Sequence, residues 1–191
     1  ITGLPRSGTT AVHRLVARDR SAFTTPATWE VILAPAIVEK RLLLALGRLD
    51  RAIGRPAGRL LDRLVRQAGG DFEAIHSMGL QEPEEDYLTL LPAGGSFIAV
   101  LAFPAEEAFW RLARLDTWPE AERRILLEAY LTLLRKHLYV FGQGRRLLSK
   151  NAAFASWLPG LREALPDSRW LVCVREPRTA LSSQLSAVAG G

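Results

Sequence analysis

The residues best suited to chemistry stand at the start of the chain. In "ITGLPRSGTT" (1–10), Gly3 and Gly8 occupy the glycine positions of the phosphate-binding frame G-x-x-x-x-G-K-[ST]. Thr9 takes the lysine position and Thr10 the Ser/Thr position. A glycine loop that opens a helix turns several backbone N–H groups toward one anion, and the helix dipole adds to the attraction. Arg6, Ser7, Thr9 and Thr10 add side-chain donors. Binding of a phosphate-like group follows from this set. Transfer of a γ-phosphoryl group does not, because that chemistry also needs Mg²⁺ held by an acidic residue near a strand end. The best second strand, "RWLVCV" (169–174), ends in Arg175 instead.

Arg175 thus stands at a strand end. The C-terminal ends of strands are where open α/β sheets bind ligands.

Elements must hold these residues in place. Ile1–Gly3 reads as a strand end, Leu4–Gly8 as a loop and Thr9–Asp19 as a helix, which is the context a phosphate loop requires. Phe23–Thr25 reads as a short strand and Trp29–Leu33 as a helix or turn. Residues 38–68 are helical in period, divided by Gly54 and Pro56. Asp71–Gln81 is loop. Proline followed by acidic residues starts helices at Pro83–Leu91, Pro104–Leu115 and Pro119–Phe141. "RRLLSK" is a strand, Phe154–Leu165 a helix, "RWLVCV" a buried strand and Pro177–Ala187 the last helix. Strands bracket the chain and helices fill its middle. The pattern predicts one α/β domain over 1–191, with a parallel sheet and a helical insertion at about 34–142.

Bulk properties set limits. The 191 residues, 48% hydrophobic and 24% charged, suffice for one domain with a real core. A single cysteine, Cys173, excludes an internal disulfide framework and a four-cysteine zinc site, and fits a reducing, cytoplasmic setting. No uncharged run approaches the roughly 18 to 20 residues that span a bilayer. The net charge of +5 comes almost wholly from arginine, since lysine occurs only at positions 40, 136 and 150. No nucleic-acid motif accompanies that charge, so a nucleic-acid partner is not expected. The arginine-rich stretch "KRLLLALGRLDRAIGRPAGRLLDRLVRQ" (40–67) is compatible with membrane-surface contact, although core or acceptor-pocket lining is the expected role of its apolar faces.

At this point a family resemblance becomes specific. "GLPRSGTT" resembles the 5′-phosphosulfate loop of sulfotransferases that use 3′-phosphoadenosine 5′-phosphosulfate (PAPS). "VREPRTALSSQLS" resembles their 3′-phosphate segment, and "LLSKNAAFASWLPGL" the run that begins at their strand-end lysine. The likeness is nearest the bacterial carboxylic-type and tyrosylprotein branches. It implies a P-loop NTPase-like three-layer fold and a metal-independent reaction that turns PAPS into PAP. It also implies that the opening loop (Arg6, Ser7, Gly8, Thr9, Thr10) holds the 5′-phosphosulfate, and Arg175 and Ser183 the 3′-phosphate. Lys150 takes the place of the lysine that contacts the moving sulfuryl group, although Asn151-Ala152 stands where Ser-Pro or Asp-Pro is common. The family also runs on past the 3′-phosphate helix, so the domain is expected to be incomplete at its C-terminus.

Sulfuryl transfer to a hydroxyl needs a proton acceptor. Glu30 is the first candidate, because similar enzymes carry a glutamate base in that region, and His76 is the second. Glu84 and Glu85 either shape the acceptor site or serve a helix start. The expected acceptor is a small lipid-like or aromatic hydroxyl compound, or an amine. An atypical small-molecule kinase and a non-catalytic nucleotide-binding domain are the alternatives.

Overall fold

The computed structural model describes residues 1–69, 79–152 and 154–189. His76 lies outside these residues. The strands are short and parallel. β1 (Thr2–Gly3) pairs with β4 (Val172–Cys173) in the register Thr2 to Val172. β2 (Phe23–Thr24) pairs with β3 (Arg146–Leu147). Hydrogen bonds join the two pairs: the Ile1 nitrogen donates to the Ser149 carbonyl at 2.7 Å, and the Asn151 N–H donates to the Ile1 carbonyl at 3.0 Å. The resulting order is β2-β3-β1-β4. β1, which leads into the glycine loop, is therefore flanked on both sides, and the C-terminal ends of its neighbours surround the loop.

Nine helices occur among the described residues. α1 (Thr9–Val16) follows the loop, α2 (Thr28–Leu33) follows β2, and α3 (Ile37–Ala52) and α4 (Pro56–Gly69) form a hairpin. α5 (Ala99–Ala102) and α6 (Glu107–Arg111) are single turns. α7 (Glu120–Phe141), α8 (Leu158–Ala164) and α9 (Pro177–Ala189) complete the set. The helix expected from Pro83 begins later, as a 3₁₀ segment at Asp86–Ala93. The one expected at Pro104–Leu115 breaks into α6 and a 3₁₀ turn at Leu112–Thr117, kinked at Arg114. The one expected at Phe154–Leu165 is a 3₁₀ turn at Ala155–Trp157 followed by α8.

The core lies on the α7 side of the sheet. Leu127, Tyr130, Leu131 and Leu134 of α7 pack on Tyr87, Leu90, Phe154, Trp157 and Leu161. Phe154 and Trp157 stack at 4.3 Å, and the Tyr130 ring meets both edge-on. These four- and three-residue spacings on α7 are the stripe that buries a helix. The expectation of a buried last strand is corrected: Val172 is 56% and Val174 86% exposed. β4 is an edge strand, and a continuous apolar run becomes buried only where both faces are covered. No helix among the described residues is long and apolar enough to cross a membrane.

Candidate active site

The loop is built by its glycines. β1 runs so close to β4 that a Cβ on Gly3 would collide with the Cys173 carbonyl oxygen. Ser7 N–H closes a turn on the Leu4 carbonyl at 3.2 Å. Arg6 then sits at φ 67° and Gly8 at φ 85°, and α1 begins. Arg6 is a non-glycine residue in the left-handed region, a conformation that costs about 1 to 3 kcal/mol and persists where surroundings enforce it. α1 has neither a side-chain cap nor an acidic residue in its first turn. Its leading N–H groups therefore keep their affinity for an external anion. Ser7 and Thr10 are half-buried and Thr9 buried along this edge.

The last strand–helix unit enforces Arg6. The Arg175 guanidinium donates to the Arg6 carbonyl at 3.1 Å. The Arg6 Nε–H donates to the Ser183 hydroxyl at 3.0 Å. Three residues singled out in the sequence, 169 and 177 positions apart along the chain, thus meet in one exposed cluster. Neither guanidinium has a carboxylate partner among the described residues. Glu176, next in sequence to Arg175, is turned to α9, where it accepts from the N–H groups of Arg178 and Thr179 and from the Thr179 hydroxyl. Those hydrogen bonds hold its carboxyl below the usual range.

A second cluster lies beside β1. Lys150 is buried and ion-paired with Glu85, whose other oxygen accepts from the Ala152 N–H at 3.3 Å. The next residues repeat the clamp. Asn151 donates to Asp86 at 2.5 Å and accepts from the Tyr87 N–H at 3.0 Å, while Tyr130 donates to Asp86 at 2.7 Å. "EED" is thereby locked to "SKN", and Asn151, a departure from the family pattern, is the hub of the lock. Burial pushes the Asp86 carboxyl up. His13, on the inner face of α1, bonds Thr25 Oγ1 at 2.8 Å. Burial, aided by the nearby Lys150 charge, pushes its pKa down to about 3, so it is neutral.

A third cluster encloses Glu30. Its carboxylate bonds His137 Nδ1 at 2.7 and 2.9 Å and pairs with Lys40 at 2.7 Å. His137 Nε2 bonds the Thr24 hydroxyl at 2.9 Å, and Lys40 also donates to the Ala34 carbonyl at 2.7 Å. Burial would raise the Glu30 pKa, but His137 and Lys40 outweigh it and hold the carboxyl low. At 2% exposure the group faces these partners and not an acceptor. Glu85, with 16% of its side chain exposed, is the more open carboxylate and stands on Lys150. His13, Lys40 and His137 escaped the sequence reading as site residues, and Asn151 was read only as a departure from the family pattern. One signal was available: in a chain with three lysines among 25 basic residues, two lysines are buried ion-pair partners.

The family model described as "Sulfotransferase family" matches residues 1–191. The chain belongs to the sulfotransferase family. Comparison with curated proteins and with solved structures gave no match. As a sulfotransferase it is a transferase of sulfuryl groups, and the small parallel sheets among helices are compatible with the α/β fold of that family. Sulfotransferases generally draw on PAPS.

Proposed function

We propose that this sulfotransferase uses PAPS to sulfate a hydroxyl or amine, without a metal ion. We place it with the bacterial carboxylic-type and tyrosylprotein enzymes. The observation that carries this reading is the meeting of Arg6, Arg175 and Ser183 at the head of α1. Both arginines belong to this cluster with no carboxylate partner among the described residues, and an anion bound there gains charge-assisted hydrogen bonds from them. The donor set fits PAPS: arginine, hydroxyl and backbone N–H groups only, with open space at Gly8. Bound PAPS supplies the activated sulfuryl group.

In this reading the loop N–H groups with Arg6, Ser7, Thr9 and Thr10 hold the 5′ end, and Gly8 leaves room for it. Arg175 and Ser183 hold the 3′-phosphate. Lys150 stabilises charge on the bridging oxygen as PAP leaves. Glu85 takes the acceptor proton, because it is the more open carboxylate and stands at Lys150, while Glu30 positions α2 through Lys40 and His137. The acceptor is a small lipid-like or aromatic compound, and the work is cytoplasmic. The whole chain forms one domain of P-loop-like three-layer design, with the insertion at about 34–142.

Calorimetric titration with PAP and with ADP, each with and without Mg²⁺, tests the proposal. PAP binds without metal and ADP much more weakly. Arg175→Ala weakens PAP by about 10- to 100-fold, as loss of a charge-assisted phosphate contact does. Unchanged PAP affinity in that variant refutes the 3′-phosphate assignment. Mg²⁺-dependent ADP binding equal to that of PAP turns the reading to a kinase.

A further inference from the structure

Among the described residues, Lys40 is the one side chain of the α3–α4 hairpin that reaches the clusters described above, and the outer faces of the hairpin take no part in them. On α3, Val38, Leu42, Leu46 and Leu49 recur at spacings of four and three, which is one helix face, and Ile53 follows at the helix end. That face is uncovered: Val38 is 75%, Leu49 66% and Ile53 73% exposed. On α4, Leu60, Leu61 and Leu64 are also exposed. The expectation that these faces line core or pocket does not hold for these residues. The turn between the helices is rigid. Asp50 accepts from the N–H groups of Ala57 and Gly58, both at 2.8 Å, and Gly54 and Arg55 take positive φ. The two helices therefore present their leucines as one fixed unit.

Charge tells what covers them. Residues 37–69 hold eight of the 25 basic residues and three of the 20 acidic ones, so the whole formal excess of +5 lies on the hairpin. Of its acids, Asp50 caps α4 and Asp62 pairs with Arg55. Arg48, Arg51, Arg59 and Arg63 are exposed. An apolar stripe among arginines matches the interface of an anionic bilayer, where leucines enter the acyl boundary and guanidiniums meet headgroup phosphates. A second copy of the hairpin would bring like charge against like charge.

We propose that the α3–α4 hairpin seats this protein on anionic membrane surfaces, presenting the catalytic domain to acceptors at that surface. The inference does not depend on which nucleotide the site takes. Co-sedimentation with vesicles of phosphatidylcholine alone, and of phosphatidylcholine mixed with phosphatidylglycerol, tests it. The protein pellets with the mixed vesicles and stays in solution with the neutral ones, and high salt releases it. Arg48→Gln/Arg51→Gln/Arg63→Gln weakens binding on the order of a hundredfold, at about fivefold per arginine. Leu49→Gln/Ile53→Gln weakens it about tenfold or more, through lost apolar burial. All five positions are exposed, so the variants fold, and unchanged circular dichroism and PAP affinity verify that. Equal binding to neutral vesicles, or no binding to either, overturns the proposal. So does dimerisation without vesicles that Leu49→Gln/Ile53→Gln abolishes, which marks a protein–protein face.

Discussion

Acid should loosen this protein through one residue, His13. The ring is 1% exposed, and its pKa falls from 6.5 to about 3 on folding. The unfolded chain then binds a proton near pH 6.5 that the folded chain refuses until near 3. Stability is complete above 6.5 and falls with acid by about 1.4 kcal/mol per pH unit. At about pH 5 the loss is ~2 kcal/mol, and carried to pH 3 it nears ~5 kcal/mol, within the whole stability of many domains. Urea unfolding of wild type and His13→Gln, from neutral pH to about 5, measures it. The variant starts lower, having lost the bond to Thr25, but its stability falls less with acid. Two other groups act beside it. The depressed Glu30 contributes stability that disappears only below its ordinary 4.5. The raised Asp86 carboxyl acts with the opposite sign, so its ionisation costs stability as pH rises above 3.8. The comparison with His13→Gln cancels both. Equal pH slopes in the two proteins would show that His13 is not the acid-sensitive group.

The remaining expectations concern the clusters around the loop. Glu85→Gln lowers kcat at least a hundredfold with PAP affinity kept, whereas Glu30→Gln lowers the melting temperature more than the turnover of folded enzyme; the reverse pattern returns the base to Glu30. Lys40→Met leaves the Glu30 carboxylate with His137 alone in the interior and costs about 3 kcal/mol, read as a melting-point drop of roughly 6 to 12 °C by calorimetry. Asp86→Asn keeps an acceptor for Tyr130 and Asn151 and removes the ionisable group, so it removes this group's loss of stability as pH rises above 3.8; a steeper loss contradicts the buried-acid account.

How far the sequence disclosed this arrangement depended on distance along the chain. The glycine loop, α1 and α7 were legible because each is written locally, in a motif or in a proline and acids before a periodic run. The partners were not. Glu30 and His137 lie 107 positions apart, Asp86 and Asn151 lie 65 apart, and no local pattern says that a buried Glu will meet a buried Lys. Periodicity shows that a helix has an apolar face but not what faces it. That is why the leucines of α3 read as interior and stand in solvent, and why "RWLVCV" reads as central and forms an edge. Arg175 and Ser183 were findable because "VREPRTALSSQLS" resembles the family's 3′-phosphate segment, while their link to Arg6 had to come from the fold.

The placement of β1 bears on how the protein is made. Its two flanking strands come from near residues 149 and 172, and the clasp on Arg6 comes from residue 183. The opening loop is synthesised well before the segments that shape it. Contacts this long-range form late in folding and slow it. A partly synthesised chain therefore carries the loop without its clasp. Truncation before α9 leaves the loop without its grip.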